Sequence, residues 1–232
     1  MNTDQKPAPL GLLMLETRFP RIPGDIGRGA SFPFPILKKV VKGASPDQVV
    51  RKNAEGLLNP FIDAAQELES EGAAGITTSC GFLTLFQKEL GAALSVPVAT
   101  SSLLQVPMLQ ALLPPQKQVG ILTISKSSLT ARHLAAAGIS PDTPIGSTED
   151  GQEFTKAILN DEPKLDVALA RQDNVEAAKA LTHHNPQIAA LVLECTNMAP
   201  YAADIAAATG TPVYTIIDFL IWFQRGLQPR LF

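Results

Sequence analysis

Charged residues are scarce in this chain of 232 residues, where Asp, Glu, Lys and Arg together make up 18% of the sequence. Acidic residues outnumber basic ones by 22 to 19, which gives a formal net charge of −3. The chain therefore has no surplus of positive charge to attract a nucleic acid or an anionic membrane surface. No apolar run approaches the roughly 20 residues of a membrane-spanning helix. These absences predict a protein that has neither nucleic-acid nor membrane partners.

Cysteine and histidine are also rare, with two cysteines and three histidines in the sequence. The chain has no Cys-x-x-Cys pair, and its histidines are remote in sequence from both cysteines, so we expect no metal site. The short apolar run at 10–15 lacks the length of a secretory signal, which predicts a cytoplasmic protein. In a reducing cytosol both cysteines are expected to be free thiols.

Apolar residues are abundant by contrast, at 45% of the chain, and they form short strand-like runs that alternate with helix-like segments. Nearly continuous apolar runs are typical of parallel strands that are covered by helices on both faces. A stretch rich in Pro and Gly at 18–35 predicts a long loop, and long ordered loops are often binding loops. The predicted strands are 11–15, 74–78, 96–100, 119–124, 188–193 and 212–216.

Two parts of the chain repeat one another around the cysteines. Cys80 and Cys195 each follow a strand-like stretch, and a proline comes 17 residues after each of them, at Pro97 and Pro212. The repeat predicts an α/β fold of two pseudo-symmetric parallel-sheet halves, with the site in the cleft between them. We assign 1–115 to the first half, 116–212 to the second half, and 213–232 to a C-terminal segment that packs back on the first half.

Each cysteine is predicted to lie where a strand ends and a helix begins. The helix dipole and free backbone N–H groups favour a thiolate there, and the amides of Gly81 and Thr196 can bind a carboxylate. One buried cysteine is ordinarily a small core residue, but a matched pair favours a shared site. Two opposed thiols suit a two-base reaction, in which one removes a proton from a carbon and the other returns a proton to the opposite face.

The segments Thr-Thr-Ser-Cys-Gly (77–81) and Glu-Cys-Thr-Asn-Met (194–198) resemble the two active-site motifs of the aspartate/glutamate/hydantoin racemase superfamily. The resemblance implies an isomerase, a racemase or epimerase that needs no cofactor and inverts a carbon next to a carboxylate or carbonyl. It implies a small amino-acid-like substrate and a homo-oligomer, a dimer or higher. Cys80 and Cys195 would be the acid–base pair. The substrate-binding residues carried over by position are Ser79, Gly81, Thr196 and Asn197.

The resemblance leaves the substrate open. Many amino-acid racemases of the family have Asn-Thr after the first cysteine, whereas this chain has Gly81-Phe82. A maleate-type cis–trans isomerase, which also keeps two cysteines and would use one as a nucleophile, stays an alternative. A protein that binds a small acid without catalysis is another. Arylmalonate decarboxylases keep one cysteine, so the presence of two argues against that reaction.

Polar residues at the ends of other predicted strands are further candidates for the site. Glu16 ends the first strand, and both Arg18 and Arg21 lie on the loop after it. An arginine there can bind a carboxylate through two hydrogen bonds. Thr123 ends the matching strand of the second half. We assign substrate binding to Glu16, Arg18 and Thr123.

Glu194 is an acidic residue directly next to one of the two cysteines. An ionised carboxylate that pointed inward would raise the pKa of the thiol. Because side chains alternate along a strand, Glu194 is predicted to point away from the Cys195 side chain, towards the other half or another subunit.

Overall fold

The computed structural model describes residues 6–229, which form two four-stranded parallel sheets. The first sheet contains β1 (Leu10–Leu15), β2 (Ile36–Val41), β3 (Ile76–Thr78) and β4 (Val98–Ala99). The second contains β5 (Gln118–Thr123), β6 (Ile145–Ser147), β7 (Ile188–Leu193) and β8 (Val213–Tyr214). The strand orders are β2-β1-β3-β4 and β6-β5-β7-β8. The two sheets share one topology, which confirms the predicted α/β fold of two similar halves.

The buried strands are the ones that can be predicted from the sequence. Every residue of β1 is buried, as are nearly all residues of β5 and β7, so these strands appear as continuous apolar runs. Strand β2 was not predicted. It lies at the edge of the first sheet, and its central residues Lys38 and Lys39 are exposed or half-buried. Charged residues are common on edge strands, where they oppose pairing with another chain.

In the order of the chain, the α-helices connect the strands, except α9, which follows the last strand. They are α1 (Pro46–Val50), α2 (Leu58–Ser70), α3 (Gln87–Ala93), α4 (Gln105–Leu112), α5 (Ala131–Ala136), α6 (Phe154–Leu159), α7 (Val167–His184), α8 (Ala202–Thr209) and α9 (Ile216–Leu227). Shorter 3-10 helices cover Gly29–Ser31, Gly81–Phe86, Ser102–Leu104 and Thr196–Tyr201. None of the helices within residues 6–229 has the length and apolarity needed to cross a membrane.

The first helical segment of the chain is divided into α1 and α2. The Ser45 side chain accepts a hydrogen bond from the Gln48 amide, and Pro46 occupies the first helical position, a common helix start. Pro60 does not cause the division, because it lies in the first turn of α2, where its missing N–H costs no hydrogen bond. The break lies at 51–57, where Asn53 and Ala54 have positive φ angles.

The two halves share one continuous core. A single buried cluster contains Leu13 and Leu15 of β1 together with Leu122 and Val192 of the second sheet. A second cluster joins α9 to the first sheet, through residues that include Leu12 and Leu220. The exact bounds of the two halves stay a prediction, and their outermost parts, residues 1–5 and 230–232, lie outside the described residues.

The packing of α9 on the first sheet can be tested with Leu220→Ala. Leu220 is fully buried in the cluster that contains Leu10 and Leu12, so its truncation should lower the free energy of unfolding by about 2–5 kcal/mol. The matched control is Leu112→Ala, because Leu112 is 75% exposed and should contribute less than about 0.5 kcal/mol. Urea unfolding measures both, and equal losses would contradict the burial of α9 against this sheet.

Candidate active site

Cys80 and Cys195 occupy equivalent positions in the two halves. Cys80 follows β3 and directly precedes the 3-10 helix Gly81–Phe86, and Cys195 follows β7 and precedes the 3-10 helix Thr196–Tyr201. Both β3 and β7 are inner strands of their sheets. The thiols therefore lie at the carboxyl ends of inner parallel strands, where α/β folds bind their ligands.

Both thiols line one small cavity between the halves. Its volume is about 20 Å³, roughly the space that one water molecule requires. Its walls are largely apolar, and both cysteines are free. Over the residues that the structure describes, no group of three or more His, Cys, Asp or Glu side chains is placed to hold a metal ion. The lining residues are Leu15, Phe19, Arg21, Pro46, Val50, Ser79, Cys80, Phe82, Ile124, Ile158, Leu159, Glu194, Cys195, Thr196 and Asn197.

The electrostatics of the cavity keep both thiols neutral. Burial raises the pKa of Cys80 and of Cys195, and the charge of the Glu194 carboxylate raises both pKa values further. The charge of Arg21 and nearby backbone N–H groups act in the opposite direction on Cys80, but less strongly. The helix starts were expected to favour thiolates, and in this closed cavity desolvation outweighs that effect.

The carboxyl group of Glu194 is fully buried between the two halves. Its Oε2 accepts a hydrogen bond of 2.7 Å from the Thr123 hydroxyl, whereas its Oε1 has no hydrogen-bond partner among the described residues. A Cβ atom at Gly81 of the first half would overlap both Oε1 and the carbonyl oxygen of Glu194. Burial raises the pKa of Glu194 to about 7. The side chain does reach the other half, yet it lines the same cavity as Cys195.

Asp25 connects the long loop at 18–35 with the second half. Its buried carboxylate accepts hydrogen bonds from the Asn197 amide at 2.6 Å, from Arg21 at 3.1 Å and from the Gly27 backbone at 2.7 Å. Asn197 Oδ1 in turn accepts a hydrogen bond of 3.7 Å from the Cys195 thiol. The loop of one half therefore orients the cysteine of the other.

Among the residues that line the cavity, Arg21 has a positively charged side chain. Its guanidinium lies 4.4 Å from the centre of the Phe19 ring and donates a hydrogen bond of 2.9 Å to the Thr17 hydroxyl. Together with the ion pair to Asp25, these contacts hold the guanidinium at the cavity wall.

The predicted site residues fall into three groups. Five of them line the cavity: Cys80, Cys195, Ser79, Thr196 and Asn197. Gly81 and Thr123 are not among the lining residues, but both contact Glu194, which is. Glu16 and Arg18 are exposed and outside the lining, because Glu16 accepts a hydrogen bond from Gly43 and Arg18 forms an ion pair with Asp161. Their assigned role in substrate binding stays a prediction that no contact with the cavity supports.

Four residues of the site were not assigned from the sequence, namely Phe19, Arg21, Asp25 and Glu194. The length of the loop at 18–35 was the available signal for the first three. Nothing in the sequence distinguished Arg21 from Arg18, since both lie on the same loop after the same strand.

Comparison with known proteins identifies a family model and relatives that are similar in sequence to this chain. A family model described as Asp/Glu/Hydantoin racemase matches residues 52–223, a span that includes both cysteines. A dimethylsulfoniopropionate lyase of Durusdinium sp. clade D is 33% identical over 97% of this chain and 77% of its own length. Dimethylsulfoniopropionate lyase 3 of Emiliania huxleyi (strain CCMP1516) is 30% identical over 90% of this chain, which spans only 57% of that relative.

Solved structures share the fold at low sequence identity. An allantoin racemase from Klebsiella pneumoniae superimposes with a TM-score of 0.66 at 16% identity, over 94% of this chain and 87% of that one. Unliganded arylmalonate decarboxylase gives a TM-score of 0.60 at 14% identity, over 95% of this chain and 92% of that one. At these identities the likeness establishes the arrangement of the two halves.

The close approach of Glu194 to Gly81 can be tested with Gly81→Ala. The added methyl group would overlap the Glu194 carboxyl and main chain, so we expect the free energy of unfolding to fall by about 1–3 kcal/mol. Gly91→Ala is the matched control, because no atom lies within 4 Å of a Cβ there. In helix α3 that change should raise stability by about 0.5–1 kcal/mol. A Gly81 variant as stable as the wild type in urea would contradict this packing.

Proposed function

Since this chain belongs to the Asp/Glu/Hydantoin racemase family, we propose that it is an enzyme that uses a cysteine thiolate to remove a proton from the carbon next to a carboxylate. The observation that carries this proposal is the shared cavity, where Cys80 of one half and Cys195 of the other meet beside Arg21. A base must come within reach of the proton that it removes. The closed cavity has room for about one water molecule, so a small carboxylate-bearing substrate requires its walls to move apart. Such a substrate would then meet two thiols and one guanidinium.

The reaction that we propose is a β-elimination. The two relatives are named for dimethylsulfoniopropionate, a propionate that carries a dimethylsulfonium group on its β carbon. When the thiolate takes the α proton, the electron pair of the broken C–H bond forms a carbon–carbon double bond. The C–S bond breaks at the same time, and its electrons leave with the sulfur. The products are acrylate and dimethyl sulfide, and the proton stays on the cysteine until solvent removes it.

The residues that line the cavity offer groups that match the two charges of such a substrate. The positive charge of Arg21 attracts the carboxylate, and the aromatic ring of Phe82 can interact with a sulfonium cation. Burial keeps the thiols neutral in the closed cavity. A cation that enters the same space lowers the pKa of the thiol, so the substrate itself helps to form the thiolate that attacks it.

We assign the base to Cys80. The Asn197 amide donates to Asp25, so its oxygen faces Cys195 and accepts the hydrogen of that thiol. This bond holds Cys195 in its protonated form. The charge of Arg21, by contrast, lowers the pKa of Cys80 against the effect of burial. Cys80 is therefore the thiol that ionises more readily once a substrate is bound.

A racemase or epimerase is the second candidate, and the second thiol favours it. An elimination needs one base, whereas inversion of a carbon needs a base on one face and an acid on the other. Cys80 and Cys195 come from equivalent positions of the two halves, which suits that pairing. The protonated Cys195 would return a proton to the face opposite Cys80.

The two reactions can be separated by nuclear magnetic resonance in D2O. With dimethylsulfoniopropionate as substrate we expect acrylate to form, and Cys80→Ser should slow its formation by about 10²–10⁴-fold, because a positioned base is lost. Cys195→Ser should retain more of this activity than Cys80→Ser. Circular dichroism of both variants is the control for folding.

A parallel assay with single enantiomers of amino acids and hydantoins tests the isomerase. Inversion with incorporation of deuterium at the α carbon, lost in both cysteine variants, together with no acrylate from dimethylsulfoniopropionate, would reject the elimination in favour of the racemase. Acrylate formation at the wild-type rate in both variants would reject thiol catalysis altogether.

A further inference from the structure

Neither proposed reaction uses Glu194, although Glu194 is one of the residues that line the cavity of the two thiols. The side chain comes from the second half, directly before Cys195, and it is completely buried. A buried carboxyl group without a role is unusual, because removing an acid from water costs free energy unless its oxygens are hydrogen-bonded. One of its two oxygens, Oε1, lacks such a bond among the described residues.

We place the proton of the neutral acid on Oε1 of Glu194, because the other oxygen has a hydrogen-bond donor. The Thr123 hydroxyl lies 2.7 Å from Oε2 and donates to it, while its own oxygen accepts from the Ser125 amide at 3.4 Å. In this arrangement Oε2 is an acceptor. In the protonated acid the hydrogen lies on Oε1, a buried donor whose acceptor is missing among the described residues.

The charges around Glu194 favour the protonated form whenever a carboxylate is bound. The groups that face the cavity with it are the thiols of Cys80 and Cys195 and the guanidinium of Arg21. Arg21 already pairs with the buried carboxylate of Asp25. A substrate carboxylate beside an ionised Glu194 would place two negative charges in one dry cavity, which is costly. Burial raises the pKa of Glu194 to about 7, although hydrogen bonds from the Thr123 side chain and the Ile124 backbone lower it.

We propose that Glu194 binds the substrate as a neutral acid, with its Oε1 hydroxyl donating a hydrogen bond to an oxygen of the substrate carboxylate. The inference rests on the proposed function, which supplies the carboxylate. When the α proton leaves, negative charge spreads from the α carbon onto the carboxylate oxygens. A hydrogen-bond donor to one of them stabilises that charge. Glu194 keeps its proton throughout, so it is a hydrogen-bond donor in this role and the thiol is the base.

The inference predicts that carboxylate binding takes up a proton. Propionate is a suitable probe, because it has the carboxylate of the proposed substrate and no leaving group. At pH 8 Glu194 is mostly ionised in the empty site, so the wild type should take up close to one proton for each propionate bound. At pH 6 the uptake should be much smaller. Titration calorimetry in two buffers of different ionisation enthalpy measures the number of protons.

Glu194→Gln is the decisive variant, because its amide can accept from Thr123 and donate from the Oε1 position without titrating. It should bind propionate without proton uptake, and with an affinity that does not change between pH 6 and pH 8. The affinity of the wild type should fall by about tenfold for each pH unit above 7. Glu89→Gln, on the exposed surface of α3, is the matched control and should behave like the wild type.

Turnover provides a second measurement. Glu194→Gln should keep its rate within about tenfold of the wild type and lose the decline of activity above pH 7. Glu194→Ala should lose about 10²–10³-fold, as expected when a hydrogen-bond donor to a developing oxyanion is removed. A Gln variant as slow as the Ala variant would overturn the inference in favour of a carboxylate that acts as a base.

Propionate binding also separates this inference from the proposed reaction. A wild type that forms no acrylate but binds propionate with proton uptake would reject the elimination and support the role of Glu194. Uptake that persists in Glu194→Gln would assign the proton to another group and overturn the inference. So would binding to the wild type at pH 8 without uptake, or no propionate binding at either pH.

Discussion

The site depends on a small set of hydrogen bonds that join the strand ends of the two halves. The Thr196 hydroxyl donates to the carbonyl oxygen of Ser79 at 2.7 Å, and the Ser102 hydroxyl donates to the carbonyl oxygen of Leu193 at 2.6 Å. Both bonds are buried and cross from one half to the other. Backbone carbonyls at the ends of strands need such partners when they are buried. Because the hydroxyl partners come from the opposite half, these bonds hold the turns that follow β3 and β7 close together, so that both cysteines line one cavity.

Close approach of the halves has an electrostatic consequence. The cavity between them is small and mostly apolar, and burial there shifts both thiols and the carboxyl group of Glu194 towards their neutral forms. Next to it, Asp25 forms an ion pair with Arg21. Neutral thiols are weak bases. In the reaction proposed above, the formation of a thiolate therefore depends on the charges that a substrate brings into the site.

One architecture accommodates several reactions at the carbon next to a carboxylate. The relatives by sequence are named as lyases, and structures that share the fold include a racemase and a decarboxylase. All three reactions form negative charge at a carbon beside a carboxylate or a carbonyl. What differs is the fate of that charge: it is reprotonated on the other face, or it expels a group from the neighbouring carbon.

The sequence by itself determined the two halves and the two thiols. Long apolar runs predict inner parallel strands, and the repeated spacing from cysteine to proline places each thiol at a strand end, because both signals are local. The edge strand β2 gave no such signal, since only one of its six residues is buried. The tertiary structure alone decided that Arg21 lines the cavity while Arg18 turns outwards to Asp161, and that Glu194 lies beside both thiols. The alternation of side chains along a strand determines only which face of its own sheet a side chain lies on. At the end of a strand, the residues that contact the side chain come from the other half, and their position depends on how the two halves pack.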